Sequence, residues 1–189
     1  MSRPKSDRRR KAILDAAKQL IAERGVAHTP TSAISKAAGI AEGSLFTYFP
    51  SKDELLNALY LEMRRDFDRS LAKYPQNADA RTRLKCIWDA FIDLGVAEPA
   101  RLGVMRQIRS TGRLLKENEQ PGKMVVEVLD AVRDVIQAGV FCGASVEFFV
   151  LLLRAHAEAT IEYIVAHPEQ ESHSRELGFN LIWRGLTGC

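Results

Sequence analysis

The chain has 189 residues, 46% hydrophobic and 27% charged, which is typical of a globular protein with one or two small domains. Its longest apolar run, residues 148–153, is too short to cross a bilayer, and no apolar segment follows the basic N-terminus. The cysteines at positions 86, 142 and 189 have no CxxC spacing, which indicates a reducing compartment. We therefore expect a cytoplasmic protein without a disulfide framework.

The net charge of +3 is unevenly distributed. Residues 1–52 hold ten basic and four acidic side chains, a balance of +6, which leaves −3 for the rest of the chain. A basic N-terminal part suits a protein that meets phosphate there, although a chance asymmetry of surface charge would give the same balance. Residues 2–11 hold six of these cations and are expected to contact DNA phosphates or to form a solvated tail.

Helical periodicity predicts short helices in the first third of the chain. The first is expected over residues 7–24 with Gly25 as its end, and Thr29 and Pro30 are expected to cap the second and to begin it. Gly39 stands where one helix must stop and the chain must turn, and Leu45 and Phe49 form the buried stripe of a third helix. This arrangement predicts a helix-turn-helix, whose second helix enters the DNA major groove.

The residues from Ile34 to Leu55 carry the pattern I-x-K-A-A-G-I-x-x-G-S-L-F-x-Y-F-x-S-K-x-x-L. This segment resembles the DNA-binding domain of the TetR family of bacterial transcriptional regulators. The resemblance covers about the first third of the chain. It implies a three-helix DNA-binding domain, placed at residues 1–52, and a helical effector-binding and dimerisation domain at residues 53–189.

By the same resemblance, the DNA-binding residues lie on the second and third helices and directly after them. Lys52 is expected to grip a phosphate with help from the N-terminus of its helix. The full set of expected DNA contacts is Thr31, Ser32, Glu42, Gly43, Ser44, Thr47, Tyr48 and Lys52. Thr31 alternatively serves only as a cap, and Tyr48 only as packing.

Three positions depart from the family pattern. Phe46 replaces a usual tyrosine, which removes one hydroxyl contact to the DNA backbone, and Ala41 replaces a usual N-cap serine. Glu42 stands at a position that is often basic or polar. Its carboxylate suits the positive end of the helix or accepts a hydrogen bond from cytosine N4, but it also repels phosphate.

The remaining segments have helical period, so the predicted class is all-α. A fourth helix opens with a capping box at Ser51 and Glu54 and ends near Pro75. Further helices are expected over residues 80–94, 99–110, 121–138, 145–166 and 170–186. The helix from Ser145 is apolar nearly all round, which predicts burial on more than one side. The family resemblance implies that this helix and the last one form a four-helix interface in a homodimer, with Gly178 and Gly185 permitting close approach.

Effector-binding residues are less visible in the sequence. The resemblance places an effector among residues that could equally be plain core: Trp88, Phe91, Met105, Met124, Phe148, Leu152 and His156. The four histidines are scattered and suggest no metal site, and no nucleophile elbow, P-loop or dinucleotide fingerprint is present. We expect no catalytic residue and no cofactor.

These observations predict a ligand-responsive, sequence-specific transcriptional regulator, a repressor that a small-molecule effector releases from a palindromic operator. The alternative is an architectural DNA-binding dimer without an effector. A small-molecule enzyme or carrier with an incidental helix-turn-helix is a third hypothesis, which turnover without DNA affinity would favour. The identity of the effector and the operator sequence do not follow from the residues.

Overall fold

The first helix, α1 (Arg3–Arg24), begins four residues earlier than predicted and carries the basic N-terminal residues into its first turns. Its apolar positions Ile13, Leu14, Ala17 and Ile21 are fully buried, as their 3–4 spacing requires. Gly25 ends the helix with a φ of 81°, a left-handed conformation that glycine adopts without steric cost. The computed structural model describes residues 3–70, 75, 77–119, 126, 129–130, 133 and 145–187.

The helix-turn-helix consists of α2 (Thr31–Ala37) and α3 (Glu42–Tyr48). Gly39 turns the chain between them with a φ of 68°, and the amide of Ile40 returns to the carbonyl of Ser35 at 3.0 Å. Ile34 and Leu45 are fully buried, while Ile40 is half-buried against the same core. The predicted motif is therefore confirmed, with Gly39 at its turn.

One prediction about the start of α2 is wrong. Pro30, not Thr29, occupies the N-cap position, and the helix begins at Thr31. The Thr29 side chain is buried and its hydroxyl donates to the carbonyl of Gly25 at 2.8 Å. Thr29 therefore satisfies the C-terminal end of α1 rather than the N-terminal end of α2.

Apart from the short α7, which was not predicted, the later helices lie close to their predicted bounds. They are α4 (Lys52–Ser70), α5 (Ala80–Ala97), α6 (Pro99–Ser110), the short α7 (Lys116–Glu119), α8 (Val146–Ala166) and α9 (Glu171–Thr187), the last preceded by a 3₁₀ turn at Pro168–Gln170. The Ser51 hydroxyl accepts from the amide of Glu54 at 3.1 Å, which confirms the capping role of Ser51. Ser145 caps α8 and Asp79 caps α5 in the same way. Every regular element of the described residues is helical, which confirms the all-α class.

Two compact units divide the chain. Unit 1 comprises residues 1–64 and 100–120, and unit 2 comprises residues 65–99 and 121–189. The boundary predicted after residue 52 concerns function and stays a prediction, while the compact units divide the chain at other places. The predicted helix over 121–138 lies outside the described residues except for positions 126, 129, 130 and 133, which are helical.

Unit 1 has one apolar core, to which α1 to α4 and α6 contribute. Its members are buried side chains that include Ile13, Leu14, Ile21, Ile34, Leu45, Phe49, Leu55, Leu56, Leu59, Val104 and Ile108. Because all four N-terminal helices share this core, α3 has a fixed orientation despite its seven residues. Its exposed face is therefore presented on a rigid support.

Unit 2 packs α5, α8 and α9 against one another. The largest buried side chains are aromatic: Trp88, Phe149 and Phe179. The Trp88 indole nitrogen donates to the carbonyl of Arg175 at 3.0 Å, which satisfies its polar atom inside the core. Gly178 lies against the Trp88 ring, so this glycine permits close approach within the chain, whereas the sequence suggested approach between subunits.

Candidate nucleic-acid interface

The outer face of α3 is exposed and polar. Glu42, Gly43, Ser44 and Thr47 are all exposed on it, as predicted from the buried positions of Leu45 and Phe49. Phe46 stands on the same face with 43% of its surface exposed, although it is a large apolar side chain. A helix that exposes one full face while its other face is locked into a core can lie in a groove of DNA without refolding.

The N-terminal end of α3 is not capped by a side chain. Ala41 occupies the N-cap position with extended backbone and makes no side-chain cap, as its replacement of serine predicted. The Glu42 carboxylate instead accepts a hydrogen bond from the Thr31 hydroxyl, whose oxygen lies 3.1 Å from Oε1. Two predicted DNA contacts from two helices are thus joined at one corner of the helix-turn-helix, with exposed Ser32 beside Thr31.

Lys52 and Tyr48 lie at the end of the motif and are both half-buried. The Lys52 ammonium donates to the carbonyl of Val26 at 2.8 Å. Burial, assisted by the nearby Arg113 guanidinium, holds the pKa of Lys52 below its ordinary value, and Asp53 opposes the shift. Tyr48 packs against the apolar core of unit 1, so part of its side chain has a structural role.

The basic N-terminal segment is helical from Arg3 onward, as the start of α1. Arg10 is less available to phosphate than the sequence suggested. Its guanidinium lies 5.2 Å from the centre of the Phe49 ring and 4.0 Å from the Glu62 carboxylate. Arg8, Arg9 and Lys11 are exposed, and Lys11 also pairs with Asp15 at 3.4 Å. The exposed Arg8 and Arg9 are therefore best placed to face a polyanion.

Residues 100–120 support the helix-turn-helix within unit 1, which the sequence did not indicate. The Gln107 side chain accepts a hydrogen bond of 3.1 Å from the amide of Val26, which directly follows Gly25 at the end of α1. Arg113 pairs with Asp53 at 3.0 Å, at the start of α4. Asn57 is an amide side chain buried within the apolar stripe of α4. Such a residue needs a hydrogen-bond partner, so it is the sequence signal that could have indicated a segment packed against α4.

The structure does not gather the predicted effector residues into one site. Trp88 is fully buried, and the His156 ring is tilted by 31° against it at a centroid distance of 5.5 Å. The Nε2 atom of His156 is hydrogen-bonded to the carbonyl of Gly178 at 3.0 Å. Phe91 meets Phe67 edge to face at 5.5 Å.

Two of the other predicted effector residues, Phe148 and Leu152, share α8 with His156 at four-residue spacing. Phe148 is 50% exposed and Leu152 is half-buried on α8. Met105 packs in the core of unit 1. Met124 lies outside the described residues. Core packing and a binding pocket require the same residue types, so the sequence could not separate them.

No group of three or more histidine, cysteine, aspartate or glutamate side chains in the described part of the chain is arranged to hold a metal ion. The Cys86 thiol is free and half-buried, and burial raises its pKa. None of the described helices has the length and apolarity needed to cross a membrane.

Comparison with known proteins identifies the motif. A model of the bacterial regulatory proteins of the tetR family matches residues 13–59, which include all of α2 and α3. The fatty acid metabolism regulator protein of Bacillus subtilis (strain 168) is 26% identical over 132 residues, 69% of this chain and 68% of that protein. Residues 13–59 therefore match the DNA-binding part of the TetR family. The predicted resemblance is confirmed, and the chain is a DNA-binding transcriptional regulator.

Solved structures of TetR-type regulators share the fold over nearly the whole chain. A TetR family transcription regulator from Marinobacter aquaeolei VT8 matches with a TM-score of 0.80 and 21% identity over 97% of both chains. The regulator FadR from Bacillus subtilis, solved in complex with stearoyl-CoA, matches with a TM-score of 0.64 and 20% identity over 95% of this chain and 98% of that one. In sequence, the chain spans less than half the length of several other curated relatives that it matches.

Proposed function

We propose that this TetR-family protein is a cytoplasmic homodimeric repressor, without enzymatic activity, that binds a palindromic operator and is released by a small-molecule effector. The observation that carries the proposal is the exposed face of α3, held on the unit 1 core and bordered by Thr31 and Lys52. Base edges meet such a face in the major groove, and cations at its borders neutralise phosphates.

Within this interface the residues divide by chemistry. Glu42, Gly43 and Thr47 lie on the exposed face of α3 and are assigned to base edges. Ser32, Ser44 and Tyr48 carry hydroxyls suited to phosphate oxygens, and Lys52 supplies an ammonium with hydrogens not used by Val26. The basic balance of residues 1–52 gives this surface a favourable long-range attraction to DNA.

Dimerisation is supported by exposed apolar side chains on α8 and α9. Leu177 and Leu181, one turn apart on α9, are 51% and 58% exposed, and Phe148 and Leu151 on α8 are about half exposed. The opposite face of α8 is buried through Phe149 and Leu153. A two-fold dimer covers such a face and spaces two recognition helices by about 34 Å, or a multiple, for a palindrome.

An effector is proposed from the family fold. The stearoyl-CoA complex of a relative with the same fold supports a small molecule bound by the helical part. The helix α4 contributes residues to both units, so a change in its position would connect effector binding to DNA affinity. An effector that binds better to a state with wrongly spaced recognition helices would then release the operator.

The test is binding of the purified protein to labelled DNA from upstream of its own gene, with a scrambled duplex as control, titrated across salt. Tight binding to the native fragment alone is expected. Equal and steeply salt-dependent binding to every duplex, including genomic fragments selected by the protein, would indicate an architectural protein instead. Small-molecule libraries are then screened for release of the bound operator. The absence of dimers in solution would contradict the proposed binding to a palindromic operator.

A further inference from the structure

The Glu42 carboxylate suits the positive end of α3, but it is an unusual group for a surface that meets DNA phosphates. It is the first residue of α3, it is exposed, and it stands on the face assigned to base edges. Near phosphates an uncompensated carboxylate weakens binding through repulsion. A hydrogen-bond donor on the DNA would offset this repulsion.

Thr31 fixes the orientation of this carboxylate. The Thr31 hydroxyl donates to Oε1 of Glu42 across the helix-turn-helix, at 3.1 Å. A carboxylate has two oxygens with about four acceptor positions, so this bond leaves Oε2 available for an external donor. The contact joins the first residues of α2 and α3, so it holds a long side chain in one direction before DNA arrives.

The base edges that such an acceptor fits are few. In the major groove, donor groups are the N4 amino group of cytosine and the N6 amino group of adenine. Adenine places the N7 acceptor beside N6, and its lone pair repels a carboxylate. Cytosine presents its amino group without an adjacent acceptor of its own. An oriented carboxylate with one free oxygen therefore favours cytosine.

Gly43 provides the close approach that this contact needs. A Cβ built at Gly43 meets nothing within 4 Å, and its φ is not in the left-handed region, so the fold itself does not require glycine there. Glycine inside a helix is unfavourable relative to alanine. A surface next to Glu42 that is kept free of side-chain atoms lets the start of α3 approach a base pair closely.

We infer that Glu42, oriented by Thr31, is a specificity-determining residue that selects a cytosine in each operator half-site. The inference rests on the proposed function, since it concerns the sequence that the proposed interface recognises. Replacing this cytosine in one half-site is expected to weaken binding about ten-fold or more, in line with other specific base contacts.

The experiment selects binding sites from a randomised DNA pool with five proteins: the native chain, Glu42→Ala, Glu42→Gln, Thr31→Val and Thr31→Ser. The native protein is expected to select a consensus with a fixed C·G pair in each half-site. Glu42→Ala is expected to lose that preference and to bind unrelated DNA more tightly, because a negative charge is removed. Glu42→Gln is expected to move the preference toward adenine, which pairs with a glutamine amide through N6 and N7.

The threonine variants separate orientation from direct contact. Thr31→Val keeps the shape and removes the hydroxyl, so the cytosine preference is expected to fall while Thr31→Ser retains it. A uniform loss of affinity for every sequence, with the cytosine preference intact, would show that Thr31 contacts phosphate instead and would overturn its positioning role. Helical circular dichroism spectra confirm that each variant is folded.

The outcomes distinguish the role of Glu42 from the proposed sequence-specific function. If the native consensus is unchanged in Glu42→Ala, the assignment of Glu42 is overturned, while the proposed function as a sequence-specific regulator stands. A native protein that selects no consensus at all overturns the proposed sequence-specific function, and this inference with it. A cytosine preference that is lost in the Glu42 variants, weakened by Thr31→Val and retained by Thr31→Ser supports both.

Discussion

The side-chain amide of Asn118 donates a hydrogen bond of 2.8 Å to Oδ1 of Asn57, and both residues are almost fully buried. The same oxygen accepts from the amide of Leu115 at 2.9 Å. The Asn57 amide group donates to the carbonyls of Asp53 at 2.8 Å and of Arg113 at 3.0 Å. Every hydrogen-bonding position of Asn57 is therefore used, and α4 is joined to the segment after α6 within unit 1.

Replacing Asn57 by leucine is expected to destabilise the protein. The substitution fills a similar volume with an apolar side chain, but it leaves the part-buried amide of Leu115 and the buried side chain of Asn118 without their partner. Each such group costs on the order of 1–3 kcal/mol, so we expect the free energy of unfolding to fall by about 3 kcal/mol. Urea unfolding followed by circular dichroism measures the change.

The control for this variant is Arg65→Ala, an exposed position on the same helix. Its free energy of unfolding is expected to stay within about 0.5 kcal/mol of the native value. A loss below about 1 kcal/mol for Asn57→Leu would contradict the buried network.

Gly43 separates fold stability from DNA binding. Alanine there meets no other part of the chain within 4 Å and replaces a glycine in the first turn of α3, so the free energy of unfolding is expected to rise by less than about 1 kcal/mol. The added methyl stands on the face assigned to DNA, so operator affinity is expected to fall. Thermal unfolding and fluorescence anisotropy with labelled operator measure the two effects.

Gly103→Ala is the matched control for Gly43→Ala. Gly103 lies within α6, and a Cβ built on it also meets nothing within 4 Å. It should stabilise the fold by a similar amount while leaving operator affinity unchanged. If both variants bind the operator like the native protein, Gly43 does not face DNA.

Local signals in the sequence were sufficient for the helix-turn-helix. Gly25 and Gly39 both have positive φ, as their positions at helix ends predicted, and Ser51 caps α4. These features depend on residues within one turn of each other, so they are visible in the sequence. Thr29 was misassigned because a threonine before proline fits an N-cap as well as a bond to the preceding helix.

Long-range partners could not be predicted in the same way. Asn57 and Asn118 are 61 residues apart, and no spacing rule connects them. The role of Trp88 could not be predicted either, because an aromatic residue on a helical face is compatible with a core or with a pocket. Only the contact with Gly178 and the bond to Arg175 identify it as core.

Alanine at Gly178 is expected to destabilise unit 2. Its Cβ would lie 2.7 Å from Cζ2 of Trp88 and 3.0 Å from the Thr160 hydroxyl, both in the packed centre of the unit. Overpacking of this kind costs about 1–3 kcal/mol. Urea unfolding measures the loss, and near-ultraviolet circular dichroism reports the environment of the tryptophan.

A second effect of Gly178→Ala distinguishes packing within the chain from packing between chains. If the glycine served mainly the dimer, the dissociation constant measured by sedimentation would rise while the stability of unit 2 stayed the same. We expect instead that Gly178→Ala lowers the stability of unit 2 more than it weakens the dimer. Leu181→Ala is the comparison. That exposed side chain is assigned to the dimer surface, so its removal should weaken association more than folding.

Lys52 gives the DNA affinity a predicted pH dependence. Burial and the Arg113 guanidinium lower its pKa from the ordinary value of 10.5, while Asp53 partly opposes them. A bound phosphate favours the charged ammonium, so binding of DNA and of the proton strengthen each other. As the pH rises through the lowered pKa, the ammonium loses its proton and operator affinity falls. The fall should begin at a lower pH than for an ordinary exposed lysine.

The measurement is the operator dissociation constant from about pH 7 to about pH 10 at constant ionic strength, with Lys52→Arg as the decisive variant, since arginine stays charged throughout. Lys52→Arg should flatten the alkaline part of the profile, whereas Lys36→Arg, at an exposed position on α2, should leave it unchanged. Deprotonation should also reduce the salt dependence of binding by about one phosphate contact. An identical alkaline profile for Lys52→Arg and the native protein would show that Lys52 serves only the carbonyl of Val26 and contacts no phosphate.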